Sequence, residues 1–268
     1  MQNPSQIRTP PPSLSLLVKE WLATNAGTTV SRPELAAPLA RAVACSAYLA
    51  DVMARYPDGL DALLADGRLE RSLQPGELNE LFEAAVRPEL DEADCMRDLR
   101  RLRHRELLRI GWRDLLGLAD VPETLADLSA LADAAICSAL GWARASMAPV
   151  YGVPRLEDGA EAEFGVLGMG KLGGRELNFS SDVDLVFLYT DRGDTDGRRS
   201  VSNEQYFRLL GQRVVKLLAK QTADGFVYRV DTRLRPFGDS GPLAVSLPAF
   251  EAYLLSHGRD WERYAYVK

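Results

Sequence analysis

The chain has 268 residues, 46% of them hydrophobic and 26% charged, so it is long enough for one large or two ordinary domains and unlike a disordered protein. Its net charge of −6 argues against a protein that covers the phosphates of a nucleic acid, because such a protein needs a basic surface. The three cysteines are far apart and in no metal-ligand spacing, and two histidines are too few for a histidine-rich zinc site.

Residues 1–30 are predicted to form a flexible tether, because the Thr-Pro-Pro-Pro-Ser run at residues 9–13 favours a stiff, extended chain and Gly27 breaks helical spacing. The N-terminus lacks the basic segment and apolar core of a signal peptide, and no uninterrupted apolar run reaches membrane-spanning length. We therefore predict a cytoplasmic protein with no membrane partner.

Residues 31–148 are predicted to form a helical domain. Apolar residues recur at helical spacing after a capping serine, at Leu35, Leu39, Val43 and Ala47. Further amphipathic stretches follow at residues 60–65, 77–86, 92–118 and 125–147. Seven arginines crowd the stretch at 92–118, but leucines and acidic residues alternate with them. We therefore expect a solvent-exposed face of ion pairs there, rather than a nucleic-acid-binding patch.

Residues 149–268 are predicted to form a second domain, in which short strands replace the long helices. Strands are predicted at residues 164–167, 184–189 and 226–234, and a helix is predicted to begin at Ser202 with Gln205 in its capping box. The second strand is apolar on both faces, which indicates a central position in its sheet. The predicted fold class is α+β, with a small sheet backed by helices.

A glycine-rich turn follows the first predicted strand and reads Gly-Met-Gly-Lys-Leu-Gly-Gly from residue 168. Its spacing partly matches a P-loop, but Leu172 stands where a P-loop needs Ser or Thr to bind magnesium. It also matches a dinucleotide-binding fingerprint, which requires a helix of some length and an acidic residue about twenty positions on. The acidic pair comes too early for that fingerprint. A simple tight turn is the alternative to a phosphate-binding loop.

Acidic residues follow this turn at positions that suit a metal ion. Asp182 and Asp184 are two residues apart where a strand begins, so their side chains point to the same face. Two adjacent carboxylates repel each other, and a cation between them removes the repulsion. Asp231 lies among arginines, where an ion-pair ladder would by itself be the better explanation. In combination with the glycine turn and the acidic pair, it is predicted to be a third metal ligand.

Three longer segments carry a family resemblance, namely LGMGKLGGRELNFSSDVDLVF at residues 167–187, GFVYRVDTRLRPFGDSGPL at 225–243 and GRDWERYA at 258–265. They resemble the bifunctional glutamine synthetase adenylyltransferase/adenylyl-removing enzymes, within the polymerase-β-like nucleotidyltransferase superfamily. The resemblance covers roughly residues 95–268 and, more loosely, the chain from residue 31.

The resemblance implies a polymerase-β-like domain with a small mixed sheet, in which Asp182, Asp184 and Asp231 are catalytic and hold two Mg²⁺ ions. Such ions clamp the attacking and leaving oxygens of an in-line displacement at phosphorus. The resemblance also implies nucleotide or phosphate contacts from Gly170, Lys171, Ser181, Arg233 and Arg235.

The family carries two related units, and the Asn-Phe-Ser-Ser at residues 178–181 and the Pro-Phe-Gly at 236–238 resemble the first, adenylyl-removing unit. The resemblance implies that this unit uses phosphate to remove AMP from a tyrosine of glutamine synthetase, giving ADP, and that the full-length enzyme also adenylylates it from ATP. It also implies a PII-type nitrogen-signalling regulator as a partner.

We expect the chain to be a truncated form of such an enzyme, incomplete at its C-terminus. Two alternatives remain within this interpretation: ATP-dependent adenylyl transfer by this unit, and a catalytically inactive docking or regulatory fragment. An NAD-binding oxidoreductase is a more distant alternative.

Overall fold

The computed structural model describes residues 35–267, which fall into two compact units. The first unit comprises residues 35–73 and 104–124, and the second comprises residues 74–103 and 125–267. The predicted tether at residues 1–30 lies outside the described residues. The predicted domain limits, at residues 31–148 and 149–268, stay a prediction.

Helices dominate the described chain before its first strand: α1 (Ala36–Cys45), α2 (Ala47–Arg55), α3 (Pro57–Ala65), α4 (Glu77–Ala85), α5 (Glu92–Leu116) and α6 (Val121–Tyr151). Local sequence explains two of the helix starts. Ser46 caps α2 by accepting a hydrogen bond from the backbone N–H of Leu49. Pro57 occupies the first turn of α3, where its missing N–H has no helical partner to lose. The predicted helical character of this region is confirmed.

The first unit buries charged residues as well as an apolar core. Its core includes Leu39, Leu60, Leu63, Leu108 and Trp112. Glu106 and Arg109 of α5 are fully buried, so the expectation that the arginine-rich helix presents a solvent-exposed face of ion pairs is wrong at these positions.

The physical reason is an internal ion-pair cluster around Glu106. Arg68 donates two hydrogen bonds to its carboxylate, at 2.8 and 2.7 Å, and the Nε of Arg109 donates a third at 3.2 Å. A buried charge is tolerated when it is paired and hydrogen-bonded in this way.

The second unit contains a four-stranded mixed sheet, formed by β1 (Phe164–Met169), β2 (Val183–Tyr189), β3 (Val230–Asp231) and β4 (Ala244–Ser246). One edge of β2 pairs antiparallel with β1 along its length, whereas β3 and β4 pair parallel with the first and last residues of β2. Leu185, Val186 and Phe187 are fully buried. The prediction that this strand is central, in a small mixed sheet of an α+β fold, is confirmed.

Helices connect and follow these strands: α7 (Gly170–Gly173), α8 (Asn203–Ala219), α9 (Leu247–Ser256) and α10 (Asp260–Ala265). Ser202 caps α8 and accepts a hydrogen bond from the backbone N–H of Gln205. The predicted apolar stripe of this helix is fully buried, at Phe207, Leu210, Val214 and Leu217. The start and the buried face of α8 were therefore predicted correctly.

The third strand is much shorter than predicted. The sequence predicts residues 226–234, whereas only Val230–Asp231 pairs with a neighbouring strand. The reason lies in competing backbone partners. The N–H groups of Val227 and Tyr228 donate to the carbonyl of Leu218, at 2.8 and 3.1 Å, and Arg235 N–H donates back to Thr232. These bonds satisfy the donors that a longer strand would need.

Arg100 of α5 fixes the segment that leads into β3. It is fully buried, and its guanidinium donates to the carbonyls of Leu217, Lys220 and Gly225. The last carbonyls of a helix lack helical partners, so the arginine caps the end of α8. The same side chain also holds the turn that leads to Asp231. Burial lowers the pKa of Arg100.

One described helix, α6, is long and apolar enough to cross a membrane by length and composition alone. However, 61% of its most apolar window is buried inside the protein, as in the core helix of a water-soluble protein. The helix also carries Asp127, Asp133 and Arg144 along its length.

Candidate functional site

The three predicted aspartates lie at the same end of two adjacent strands. Asp184 is the second residue of β2 and pairs in parallel register with Asp231 of β3, and Asp182 directly precedes β2. Neighbouring strands lie about 4.8 Å apart, so the register brings Asp184 and Asp231 side by side. The structure therefore places all three carboxylates at one end of the sheet.

The glycine-rich turn meets the same end of the sheet. β1 ends at Met169, which pairs with Asp184, and Gly170 begins the turn with a φ of 57°. A methyl group on Gly170 would lie 3.3 Å from Oδ2 of Asp184. Glycine at this position thus permits the left-handed turn and leaves room for the carboxylate. The following helix has four residues, which is too short for a dinucleotide-binding loop.

Replacing Gly170 by alanine tests this close approach. We expect Gly170→Ala to lose about 1–2 kcal/mol of stability, because a Cβ is strained at positive φ, and to displace Asp184. Because Asp184 is displaced, the affinity for a divalent cation, measured by calorimetry, should also fall. Gly165→Ala on the same strand is the matched control, because nothing lies within 4 Å of a methyl group there. Equal stability and equal cation affinity in the two variants would contradict the role of Gly170 in leaving room for Asp184.

Arginines hold two of the three carboxylates. Arg229 Nε donates to Asp182, and its Nη2 donates to the carbonyl of Ser180 at 3.1 Å. Arg233 binds Asp231 through its backbone N–H at 2.8 Å and through two guanidinium nitrogens, with Nε–Oδ2 and Nη2–Oδ2 distances of 2.8 and 2.5 Å. These hydrogen bonds lower the pKa of Asp231.

Asp184 is in a different electrostatic environment. Its partial burial is the largest cause of a raised pKa, and the negative charges of Asp231 and Asp182 raise it further, against the opposing effect of Arg233. When neighbouring negative charges disfavour the ionised form of a carboxyl group, an added cation stabilises that form. The repulsion expected between neighbouring carboxylates is thus present at Asp184.

Two residues predicted to contact phosphate lie together. The Nζ of Lys171 is 3.5 Å from the Oγ of Ser181, and this hydroxyl donates to Asn178 Oδ1 at 2.6 Å. Both of these hydrogen bonds are exposed to solvent. A cation and a hydroxyl next to a glycine turn form a donor set suited to phosphate oxygens.

Arg233 and Arg235 differ sharply in exposure. The Arg233 side chain is 73% exposed, whereas that of Arg235 is 9% exposed. Arg235 donates to the carbonyl and hydroxyl of Thr232, each at 2.8 Å, and to the carbonyl of Gly241. It therefore stabilises its own loop, and its predicted contact with phosphate stays a prediction. Arg229 was missed as a site residue, because nothing in the sequence pairs it with Asp182.

Among residues 35–267, no three His, Cys, Asp or Glu side chains stand close enough together to hold a metal ion. Asp182 and Asp231 are instead ion-paired with Arg229 and Arg233. The donor set still fits magnesium, which takes a few carboxylate oxygens and completes its shell with water and phosphate.

A small mixed sheet with a glycine turn and acidic residues at the ends of adjacent strands is the arrangement expected of a nucleotidyltransferase. Residues 36–268 match the family described as glutamate-ammonia ligase adenylyltransferase, and the chain belongs to this family.

Three similar relatives share one name, bifunctional glutamine synthetase adenylyltransferase/adenylyl-removing enzyme. The protein from Thioalkalivibrio sulfidiphilus is 48% identical over 257 residues, which cover 96% of this chain and 26% of the relative. The proteins from Shewanella oneidensis and Pseudomonas putida are 44% and 47% identical and match 94% and 84% of this chain, equal to 26% and 23% of their own lengths. The chain thus spans about a quarter of the length of these curated relatives.

Proposed function

We propose that this chain is the adenylyl-removing unit of its family, which uses inorganic phosphate to release AMP, as ADP, from an adenylylated tyrosine of glutamine synthetase. The observation that carries the proposal is the parallel register of Asp184 and Asp231 beside the Gly170 turn. The name of the relatives supports glutamine synthetase as the substrate. A cytoplasmic location and a PII-type regulator belong to the same proposal.

Asp182, Asp184 and Asp231 are the residues that would hold two Mg²⁺ ions. When bound, these ions supply charge neutralisation at the attacking and leaving oxygens of the displacement. Arg233 is exposed and bound to Asp231, so its guanidinium is in position to exchange this carboxylate for a phosphate group. Bidentate binding of either anion suits the planar guanidinium.

The chain's own donors orient the reacting groups. Lys171 and Ser181 bind oxygens of the phosphate that do not react, and Arg233 neutralises charge on the AMP phosphoryl group. An oxygen of inorganic phosphate forms a bond to the phosphorus of AMP while the bond from phosphorus to the tyrosine oxygen breaks. The tyrosine oxygen then takes up a proton, and the products are ADP and unmodified tyrosine.

The adenylyl-removing direction rests on sequence motifs. The Asn-Phe-Ser-Ser segment at residues 178–181 supplies Ser181 and the Asn178 amide that binds it. The Pro-Phe-Gly segment at 236–238 forms a tight loop held by Arg235. Both segments resemble the adenylyl-removing unit, whereas the name of the relatives covers both activities.

Supplying phosphate or ATP separates the two directions. With adenylylated glutamine synthetase, Mg²⁺ and inorganic phosphate, we expect the chain to release ADP in amounts that match the AMP removed. With unmodified glutamine synthetase and ATP labelled at the α-phosphate, we expect no label on the protein. Label transfer from ATP without release by phosphate would instead establish the adenylylating direction.

A docking or regulatory fragment without catalysis is the second candidate, and the arginine-bound state of Asp182 and Asp231 is the observation that favours it. Calorimetry distinguishes the two. An inactive fragment would bind no nucleotide in the presence of Mg²⁺, whereas the proposed enzyme binds ADP and loses that binding when Mg²⁺ is chelated.

A further inference from the structure

Phe237 combines backbone strain with an exposed aromatic ring. Its φ is 61°, and Arg175 is the one other non-glycine residue at positive φ in the described part of the chain. A bulky side chain rarely adopts this conformation, and such strained residues cluster where ligands bind. Phe237 is also 55% exposed, so burial of its ring does not account for the strain.

Neighbouring aromatic residues fix the ring without covering it. The ring of Tyr253 packs edge-on at 4.6 Å from that of Phe237, and the ring of His257 lies at 5.5 Å. The hydroxyl of Tyr253 in turn donates to Glu262 Oε1 at 2.7 Å. The ring is therefore held in one place on its inner side while more than half of the residue faces solvent.

The loop that carries Phe237 starts at the candidate site. It leaves β3 at Asp231, and Gly238 folds back so that a methyl group on it would lie 3.6 Å from the carbonyl of Arg233. Arg235 closes this loop through its bonds to Thr232 and Gly241. Phe237 thus directly precedes the residue that approaches the backbone of Arg233, the exposed arginine that binds Asp231.

We propose that the exposed face of Phe237 stacks against the adenine ring of the nucleotide whose phosphate binds Arg233 beside Asp184 and Asp231. This inference rests on the proposed function. Adenine fits the observations because a nucleotide joins a flat aromatic ring to a phosphate, and one loop carries both the exposed ring of Phe237 and the exposed guanidinium of Arg233. Stacking of a base on an aromatic side chain is favourable and requires only one free face of the ring.

Comparing AMP with ribose 5-phosphate measures the contribution of the base directly. In calorimetric titrations with Mg²⁺, we expect the chain to bind AMP at least about tenfold more tightly than ribose 5-phosphate. Phe237→Asn, chosen because asparagine tolerates positive φ, should weaken AMP binding about tenfold and leave ribose 5-phosphate unchanged. Phe237→Trp should restore the affinity for AMP. Tyr264→Ala removes another exposed aromatic ring, 77% exposed, and should change neither affinity.

The possible failures are distinguishable. Unchanged AMP affinity in Phe237→Asn would overturn the inference and leave a protein contact as the role of the ring. An equal loss for AMP and ribose 5-phosphate would also overturn it, because the loop would then act on the phosphate. If the wild-type chain bound neither ligand, the proposed function itself would fail. Phe237→Gly, which relieves the strain at positive φ, replaces Phe237→Asn if circular dichroism shows that the asparagine variant is unfolded.

Discussion

Asp184→Asn is expected to abolish Mg²⁺ binding and phosphate-dependent ADP release while leaving the chain at least as stable as the wild type. The loss of Mg²⁺ binding and the unchanged or higher stability have one cause, which is the removal of the negative charge on Asp184. Burial and the charges of Asp231 and Asp182 raise the pKa of Asp184, so its ionised form destabilises the fold at neutral pH. Asparagine keeps the shape of the side chain and removes this unfavourable charge.

The expected loss of Mg²⁺ affinity exceeds about 100-fold, since replacing residues that merely support a metal ligand costs about 10- to 100-fold. Calorimetry measures the affinity, and thermal unfolding at pH 7 measures the stability. Asp191→Asn, just beyond the opposite end of β2, changes the net charge equally and should leave both quantities nearly unchanged. A loss of stability in Asp184→Asn without a loss of Mg²⁺ binding would assign Asp184 to the structure rather than to the site.

Glu106→Gln is expected to lower the free energy of unfolding of the first unit by about 3–5 kcal/mol, the cost of breaking a buried ion pair from one side. Glu106 and Arg109 are fully buried and Arg68 nearly so. The substitution removes a carboxylate that accepts hydrogen bonds from both arginines. Their positive charges would then lie close together in the interior without this counterion.

Urea denaturation followed by circular dichroism measures this change. Asp94→Asn is the matched control on the same helix, because Asp94 and its partner Arg97 are each 41% exposed. An exposed pair contributes little, so this control should change the free energy of unfolding by less than about 1 kcal/mol. Similar small losses in both variants would show that the Glu106 cluster contributes no more than a surface pair.

The parts of the fold that the sequence predicts correctly are those that depend on local periodicity. The stripe from Phe207 to Leu217 follows the helical period, and the apolar run of β2 indicates a central strand. The spacing of Asp182 and Asp184 likewise places them at the end of one strand. The period of apolar side chains and the apolar character of a strand are properties of neighbouring residues, so one sequence is enough to predict them.

The features that the sequence does not predict depend on contacts between distant residues. Arg109 lies among acidic residues in the sequence, as an exposed arginine would. However, its partner Glu106 also binds Arg68, which is 38 residues away from Glu106 along the chain. The pairing of Asp182 with Arg229 joins residues 47 apart, and the strain at Phe237 is a property of its loop. No local pattern carries this information.

Anomalous diffraction from crystals of the chain grown with Mn²⁺ and ADP tests the central claim most directly. We expect a Mn²⁺ peak at about 2 Å from carboxylate oxygens of Asp184 and Asp231, with Arg233 turned from Asp231 to a phosphate of ADP. A chain in which ADP is bound, Arg233 remains on Asp231 and no Mn²⁺ peak lies beside Asp184 would contradict it.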